Sequence, residues 1–284
     1  RPPNAAGLLG LMSAYRGGEQ GAFGLKAICV FPDNPSQGKD AHQGAVMLFS
    51  RETGELLALM NASEITAIRT AAVSAIATRL LAREDAQELA IIGAGVQART
   101  HLAALACVRS IKRVRVAARN MERSQGLVNE MQPSVSFPIE AVQINEQAVR
   151  GADLIVTATS SLEPVIKREW ISPGAHINAI GTHSPGSREI DSATMAAARI
   201  FVDRRESALN ESGDYLLAAK EGVIGPDNII GEIGELLIGK KSGRTSGTEI
   251  TLFKSLGLAI EDVACAGYLY RKAQAQNAGC WVDF

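Results

Sequence analysis

The sequence predicts an α/β protein built on a doubly wound parallel sheet. From residue 88 onwards, short apolar runs alternate with helical segments. Each apolar run is continuous, which is typical of a strand covered on both faces. Strands and helices that alternate in this way form a parallel sheet with right-handed crossovers. The predicted strands are 88–93, 112–118, 137–142, 153–158, 176–181 and 199–203.

The residues before this region predict a smaller, mixed arrangement of strands and one helix. A strand is predicted over 23–31, and the apolar runs at 44–49 and 56–60 predict a hairpin. A helix is predicted over 64–83 from apolar residues at helical spacing. Asn61 with the polar residues after it is typical of a helix N-cap.

The last part of the chain is less regular. Residues 206–247 are rich in glycine and charge, which predicts a helix and long loops. The run 250–257 and a helix over 258–276 close the chain. We find no internal repeat and no low-complexity linker.

Two cations interrupt apolar patterns in the first 70 residues. Lys26 lies within the strand at 23–31, so it either points outward from an edge strand or faces a pocket and needs an anionic partner. Spacing alone favours the edge position. Arg69 lies beside the apolar stripe of its helix, and periodicity predicts that it is exposed.

Composition excludes several classes of protein. The chain has 284 residues and a net charge of −1, so no basic field recruits nucleic acid or an anionic membrane. No apolar run approaches the roughly 18 residues that a membrane-spanning helix needs, and the N-terminus has no signal-peptide pattern. The four cysteines are scattered and form no metal-type cluster with the histidines. We therefore expect reduced thiols, no metal site and a cytoplasmic location.

A glycine-rich loop follows the strand at 88–93 and opens a helical segment at 96–108. Gly93 and Gly95 let the backbone turn tightly and approach a pyrophosphate, which the start of the helix favours. Ala98 replaces the third glycine of the dinucleotide pattern, as that pattern allows. This context favours a dinucleotide site over a plain glycine turn in an α/β domain.

The end of the next strand indicates which dinucleotide is bound. Sites for NAD carry Asp or Glu about 20 residues after the glycines, to bind the ribose hydroxyl groups. Here Ala118 and Arg119 occupy that end, followed by Asn120. Arg119 can bind a 2′-phosphate, so NADP(H) is preferred and NAD(H) is possible. The alternative is a solvated surface arginine.

Polar residues also follow two later strands. Thr159 ends the fourth strand, and its small side chain would face the cofactor at the carboxyl edge of the sheet. His183 lies in the loop after the fifth strand, where a reacting group would be placed. It is a candidate acid–base or substrate-orienting residue; the alternative is a turn histidine without a role.

Five segments of the sequence occur together. They are Lys26 with Phe31-Pro32-Asp33-Asn34, Ile65-Thr66-Ala67-Ile68-Arg69-Thr70-Ala71-Ala72, Gly93-Ala94-Gly95-Val96-Gln97-Ala98, Ser187-Arg188-Glu189-Ile190-Asp191 and Phe253-Lys254-Ser255-Leu256-Gly257-Leu258-Ala259-Ile260-Glu261-Asp262. With this combination the sequence resembles the ornithine cyclodeaminase/mu-crystallin family, over essentially the whole chain. The family's first few dozen residues, with a further substrate-binding arginine, are expected to be missing before Arg1.

The resemblance implies a Rossmann-type NAD(P)-binding domain, 88–256, inserted in a second mixed α/β domain, 1–87 plus 257–284. The second domain would bind substrate and form a homodimer. The resemblance also revises two interpretations, because Lys26 matches a lysine that pairs with the substrate carboxylate and Arg69 matches an arginine between cofactor and carboxylate. Two cations on one carboxylate suit an amino or imino acid.

The family's residues imply a catalytic set and a cofactor set for this sequence. The catalytic set is Lys26, Arg69 and His183, of which the first two also bind substrate. The cofactor set is His42, Arg69, Thr70, Gly93, Gly95, Val96, Gln97, Arg119, Asn120, Thr159 and Ser255.

His183 stands where the cyclodeaminases of the family carry a catalytic aspartate. A neutral histidine can take a proton but offers no fixed negative charge for the second ammonium of ornithine. We therefore expect an NAD(P)H-dependent ketimine reductase acting on Δ1-pyrroline-2-carboxylate or Δ1-piperideine-2-carboxylate. The alternatives are a cyclodeaminase that converts ornithine to proline and ammonia, an amino-acid dehydrogenase, or an NADPH-binding ligand carrier.

Overall fold

The computed structural model describes residues 5–282, which fall into two compact units. The first unit runs up to Thr70 and resumes at Gly257; the second is Ala71–Leu256. The sequence predicted that the second unit begins at residue 88, whereas the structure begins it within the preceding helix. Both units have their own apolar cores.

The first unit contains a four-stranded antiparallel sheet in the order β1-β2-β3-β4. The predicted strand and hairpin are confirmed. Helix α1, Ala62–Leu81, follows the sheet and confirms the predicted helix; the Asn61 side chain accepts the N–H groups of residues 63 and 64 at 2.8 and 3.3 Å. The strands are β1 Leu8–Arg16, β2 Ala22–Val30, β3 His42–Ser50 and β4 Leu56–Asn61.

The second unit contains an eight-stranded sheet in the order β11-β10-β12-β9-β8-β5-β6-β7, and all neighbours pair in parallel. The predicted doubly wound parallel sheet is confirmed. Its strands are β5 Glu88–Ile92, β6 Arg113–Ala117, β7 Ile139–Ala141, β8 Leu154–Thr157, β9 His176–Ala179, β10 Ala198–Val202, β11 Ile229–Glu232 and β12 Ile250–Lys254.

Helices α2 to α8 belong to the second unit and α9 to the first. These helices are α2 Val96–Ala106, α3 Met121–Met131, α4 Asn145–Val149, α5 Ser192–Ala197, α6 Arg205–Glu211, α7 Gly213–Lys220, α8 Ile233–Leu237 and α9 Ala259–Gln276. No helix within residues 5–282 combines the length and the apolar character needed to cross a membrane.

Both faces of the large sheet are buried, as the continuous apolar runs predicted. Along β5, Leu89 and Ile91 pack into one apolar cluster, while Ala90 and Ile92 pack into another. Side chains alternate between the faces of a strand, so the two clusters lie on opposite faces. This is the arrangement that covers a parallel sheet with helices on both sides.

The prediction for 206–247 was wrong in part. Instead of one helix and long loops, this region contains α6, α7, strand β11 and α8. Strand β11 contributes only two apolar residues, Ile229 and Ile230, before Gly231. It lies at the edge of the sheet and pairs with β10. An edge strand needs less apolar surface, which is why the apolar pattern did not reveal it.

Helix α9 covers one face of the small sheet. Val263 and Ala266 of α9 pack against alternate strand residues, including Ile28 of β2. A Cβ atom at Gly24 would lie 2.5 Å from the Val263 side chain, so this glycine lets the helix approach. By the same alternation, Lys26 lies on the face covered by α9. Since β2 also lies between β1 and β3, the edge interpretation of Lys26 is wrong.

Candidate active site

The predicted cofactor residues of the second unit lie at one edge of the parallel sheet. The glycine loop, Arg119, Thr159, His183 and Ser255 follow five neighbouring strands, β5, β6, β8, β9 and β12. Because all these strands are parallel, the segments after them leave the sheet at the same edge. Strand β5 lies between β6 and β8, where the winding reverses, and ligands of such folds bind in the crevice at this point.

The glycine loop is shaped for a close approach to an anion. Gly93 has a φ of 119°, and a Cβ atom there would lie 2.4 Å from the carbonyl oxygen of Ala158. Gly95 is the N-cap of α2 and has no side chain to occupy the first N–H groups. The Gln97 side-chain oxygen is buried without a hydrogen-bond partner in the described part of the chain, and Val96 is exposed. The glycine backbone and the start of α2 fit a pyrophosphate, whereas the Gln97 oxygen is a hydrogen-bond acceptor and does not contribute to an anion site.

Arg119 and Asn120 follow β6 at the surface. The Arg119 side chain is exposed, and Ala118 precedes it where an NAD site would carry a carboxylate. The Asn120 side chain accepts the N–H of Arg123 at 3.0 Å and so caps α3. This cap is a structural role, and the contact of Asn120 with a cofactor stays a prediction.

Glu189 is a buried carboxylate to which the sequence reasoning assigned no role. It accepts hydrogen bonds from the Thr157 hydroxyl at 3.0 Å, the Thr159 N–H and hydroxyl at 2.6 and 2.8 Å, and the Gly181 N–H at 2.7 Å. Burial raises the pKa of Glu189, and the positive charge of Lys254 opposes that shift. Glu189 thus joins the ends of β8 and β9.

A buried ion pair lies beside this carboxylate. The Lys254 ammonium lies 2.9 Å from the Asp214 carboxylate and donates to the carbonyl of Thr182 at 2.8 Å. Asp214 also accepts the N–H groups of Glu189 and Ile190 at 2.7 and 2.9 Å. Burial raises the pKa of Asp214, but Lys254 and these hydrogen bonds outweigh it and lower the pKa overall. The sequence analysis did not predict this pair; the signal that could have revealed it is a lone lysine at the end of the apolar run 250–253.

Ser255 and His183 differ in exposure. Ser255 is buried and its hydroxyl donates to Asp203 at 3.4 Å, while the next backbone N–H donates to the same carboxylate at 2.6 Å. His183 is exposed and follows the buried Thr182 in the loop after β9. The structure therefore puts His183 on the solvent side of a fixed loop segment.

The first unit holds the two candidate substrate cations. The Lys26 ammonium lies 2.8 Å from one oxygen of Asp262, and the Arg69 Nε atom lies 3.1 Å from the other. Arg69 also pairs with Glu261 at 2.8 Å. Lys26 and Arg69 are 3% and 7% exposed, so the interpretation of Arg69 as exposed is wrong. The periodicity of α1 could not reveal a partner on α9.

Burial and neighbouring charges shift the pKa values of two residues in and near this cluster. Burial, and then the nearby Arg69 charge, lower the pKa of Lys26, while Asp262 opposes the shift. Partial burial and the charge of Lys26 likewise lower the pKa of His42, at the start of β3. Thr70 is buried, and its hydroxyl donates to the carbonyl of residue 66 at 2.7 Å. Its contact with a cofactor stays a prediction.

Gly257 completes the surroundings of Arg69. Its φ is +85°, and a Cβ atom there would lie 2.5 Å from the Arg69 guanidinium. A glycine is therefore needed both for the backbone conformation and for the space that the guanidinium occupies.

Among residues 5–282 no group of three or more metal-ligating side chains is present.

These features define an α/β protein of the Rossmann type with a second unit that carries paired buried cations. The chain belongs to the ornithine cyclodeaminase/mu-crystallin family, whose model matches residues 2–277. The family and the fold class predicted from the sequence are thus confirmed.

Three proteins illustrate the similarity. Delta(1)-pyrroline-2-carboxylate reductase of Bacillus cereus is 39% identical, over 93% of this chain and 81% of that protein. Ketimine reductase mu-crystallin of Mus musculus is 41% identical, over 93% of this chain and 80% of that protein. The structure of Thermococcus litoralis Delta(1)-pyrroline-2-carboxylate reductase in complex with NADH and L-proline is 37% identical, covers 98% of this chain and 90% of its own, and superposes with a TM-score of 0.91.

Proposed function

We propose that this chain is an NAD(P)H-dependent oxidoreductase that reduces the C=N bond of a small cyclic imino acid. The observation that carries the proposal is the pair of buried cations, Lys26 and Arg69, held on one carboxylate. Fixed, adjacent donors of this kind recognise a substrate carboxylate. The activities of the bacterial and murine relatives, and the NADH and L-proline bound to the archaeal one, support it.

In the proposed reaction the chain binds and orients the acceptor. A reduced nicotinamide, when bound, supplies the hydride for the imine carbon. Lys26 and Arg69 hold the substrate carboxylate, which fixes the orientation of the imine carbon. His183, or a water that it orients, handles proton balance at the imine nitrogen.

We propose NADP(H) as the preferred cofactor, with NAD(H) as the alternative. Arg119 at the end of β6 supplies a cation for a 2′-phosphate, and Ala118 supplies no competing carboxylate. The glycine loop would hold the pyrophosphate, and Thr159 and Ser255 belong to the segments that would meet the nicotinamide end. The archaeal relative with NADH bound supports the alternative.

We also propose a homodimer, formed through the face of the small sheet opposite α9. This face carries exposed apolar side chains: Leu9, Leu11, Tyr15, Phe23 and Leu59, with exposed fractions from 47 to 67%. The Tyr15 and Phe23 rings lie 4.7 Å apart and widen the patch. An apolar patch of this kind is typical of an interface. Light scattering should show a dimer, and Leu11→Arg should yield monomers, whereas the same replacement of Leu237, which is also exposed but lies in α8, should not.

The experiment that tests the activity measures NADPH oxidation with Δ1-pyrroline-2-carboxylate and Δ1-piperideine-2-carboxylate. A parallel assay follows proline and ammonia from ornithine without added reductant. Oxidation of NADPH without proline from ornithine is the expected result. Proline from ornithine without net use of cofactor would favour a cyclodeaminase. Tight NADPH binding without either reaction would favour a ligand-binding protein.

A further inference from the structure

Glu189 connects two loops of the proposed active site through its side chain. One carboxylate oxygen accepts the N–H and the hydroxyl of Thr159, just beyond β8. The other oxygen accepts the N–H of Gly181, just beyond β9, and the hydroxyl of Thr157. All four partners are N–H or O–H groups, and each carboxylate oxygen accepts from two of them.

The two loops are also in direct backbone contact. A Cβ atom at Gly181 would lie 2.0 Å from the Thr159 carbonyl oxygen and 2.2 Å from its nitrogen. A Cβ atom at Gly93 would likewise lie 2.4 Å from the Ala158 carbonyl oxygen. The glycine loop, the end of β8 and the end of β9 therefore pack without intervening side chains, and a small displacement of one must move its neighbour.

A second buried carboxylate, that of Asp214, also holds the loop after β9. Asp214 accepts the backbone N–H of Glu189, and it pairs with Lys254, which donates to the carbonyl of Thr182. Residues 181 and 182, immediately before His183, are thus tied to Glu189 and to Lys254. The two carboxylates and one ammonium form a closed network, and Glu189 is the member that reaches β8.

We propose that Glu189 is a positioning residue for hydride transfer. Its carboxylate sets the distance between Thr159, at the nicotinamide end of the site, and the loop that carries His183. Glu189 acts through the backbone of these loops and does not touch substrate. The proposal rests on the proposed function, since it requires a nicotinamide at this edge of the sheet.

The test compares Glu189→Gln with a matched carboxylate at the opposite edge of the sheet. In the glutamine variant one oxygen becomes an NH2 group that faces N–H or hydroxyl donors, so one loop loses its anchor. Asp153 is the control, because it accepts the N–H groups of residues 87 and 88 at 2.9 and 3.0 Å at the amino edge. Asp153→Asn also replaces a carboxylate by an amide in the same sheet, away from the cofactor edge, and in addition loses the ion pair with Arg83 at 2.6 Å.

The measurements are kcat, KM for the imino acid, the dissociation constant of NADPH, the melting temperature, and the isotope effect with NADPH deuterated at C4. We expect Glu189→Gln to lower kcat by on the order of ten- to a hundred-fold, as small misplacements of reacting groups do. Its isotope effect should equal or exceed that of the wild type, with little change in KM. Asp153→Asn should lower the melting temperature and leave kcat and the isotope effect unchanged.

Equal kcat values for Glu189→Gln and the wild type would overturn the proposal. So would a fall in kcat that Asp153→Asn reproduces, because the effect would then be one of general stability. If Glu189→Gln does not fold, Thr157→Val removes one donor to the carboxylate and should lower kcat in the same direction by less. Failure of the proposed function is recognised separately, since the wild type would then not turn over.

Discussion

The ammonium of Lys26 and the carboxylate of Asp262 form an ion pair of 2.8 Å that is almost fully excluded from solvent. The second oxygen of the same carboxylate binds Arg69 at 3.1 Å. One aspartate in the first turn of α9 thus orients a cation from β2 and a cation from α1. A buried charge left without its partner is costly, so Asp262 matters for both cations.

The replacement Asp262→Asn should shift the pH dependence of substrate binding towards lower pH, so that binding weakens earlier as the pH is raised. Asp262 and Glu261 raise the pKa of Lys26, whereas burial and Arg69 lower it. Loss of Asp262 therefore lowers this pKa further, and neutral Lys26 binds a carboxylate weakly. We expect KM for the imino acid to rise with pH from a lower pH than in the wild type. The pH profile of KM measures this, with the exposed Glu64→Gln as control; an unshifted profile would contradict it.

The replacement Arg69→Ala should raise KM for the imino acid sharply and lower kcat. Hydrogen bonds to charged groups contribute about 1.5–3 kcal/mol, which predicts a rise in KM of roughly ten- to a hundred-fold. Arg69→Lys should recover the charge and only part of the affinity, because lysine lacks the planar fork. Steady-state kinetics measure both variants. Kinetic constants near those of the wild type for Arg69→Ala would remove Arg69 from the substrate site.

Arg69 also shows where the sequence stops being informative. Its ionic partner Asp262 lies 193 positions later, and the periodicity of α1 contains no information about α9. An arginine beside an apolar stripe is then equally compatible with solvent and with a buried anion. The resemblance of whole motifs to the family predicted instead that Arg69 faces the substrate, and the structure shows that it is buried and paired with Asp262; its contact with substrate stays a prediction.

Local features, by contrast, were predictable from the residues alone. The positive φ of Gly93 and its close approach to Ala158 follow from the glycine pattern after a buried strand. The parallel sheet follows from continuous apolar runs, because both faces are covered. The role of Glu189 was not predictable, because its four donors come from two different strand ends that only the folded sheet brings together.

The replacement Arg119→Ala should weaken NADPH binding much more than NADH binding. If Arg119 binds the 2′-phosphate, its loss removes a charge-assisted contact that NADH does not make. We expect the dissociation constant of NADPH to rise by about tenfold or more, with little change for NADH. Titration of cofactor fluorescence measures both. Arg123→Ala, an exposed arginine on α3, is the control; equal losses for the two cofactors would refute the assignment.

The replacement His183→Ala should lower kcat and leave NADPH binding intact. A positioned acid or base typically contributes about 10²–10⁴-fold to a rate, and an exposed histidine that works through water should lie at the lower end. The loop itself should persist, since Gly181 and Thr182 are held by Glu189 and Lys254. Kinetics and cofactor titration measure the two effects. Unchanged kcat would return His183 to the role of a turn residue.

The stability of the chain should fall between pH 7 and pH 5 because of buried neutral histidines. His101 Nδ1 lies 2.7 Å from the carbonyl of Gln97 and must donate to it, and Nε2 lies 2.9 Å from the Ser74 hydroxyl, from which the neutral ring accepts. Burial lowers the pKa of His101 to about 4 and that of His176 to about 3.

Below its ordinary pKa of 6.5, unfolded His101 binds a proton that the folded chain does not bind until about pH 4. Stability therefore falls as pH drops through this window, by about 2 kcal/mol per histidine between pH 7 and pH 5. Urea unfolding at the two pH values measures the loss. In the variant His101→Gln only His176 still contributes, so the part of the stability loss that the two histidines cause should fall by about half. An unchanged pH dependence in this variant would mean that His101 is protonated in the folded chain.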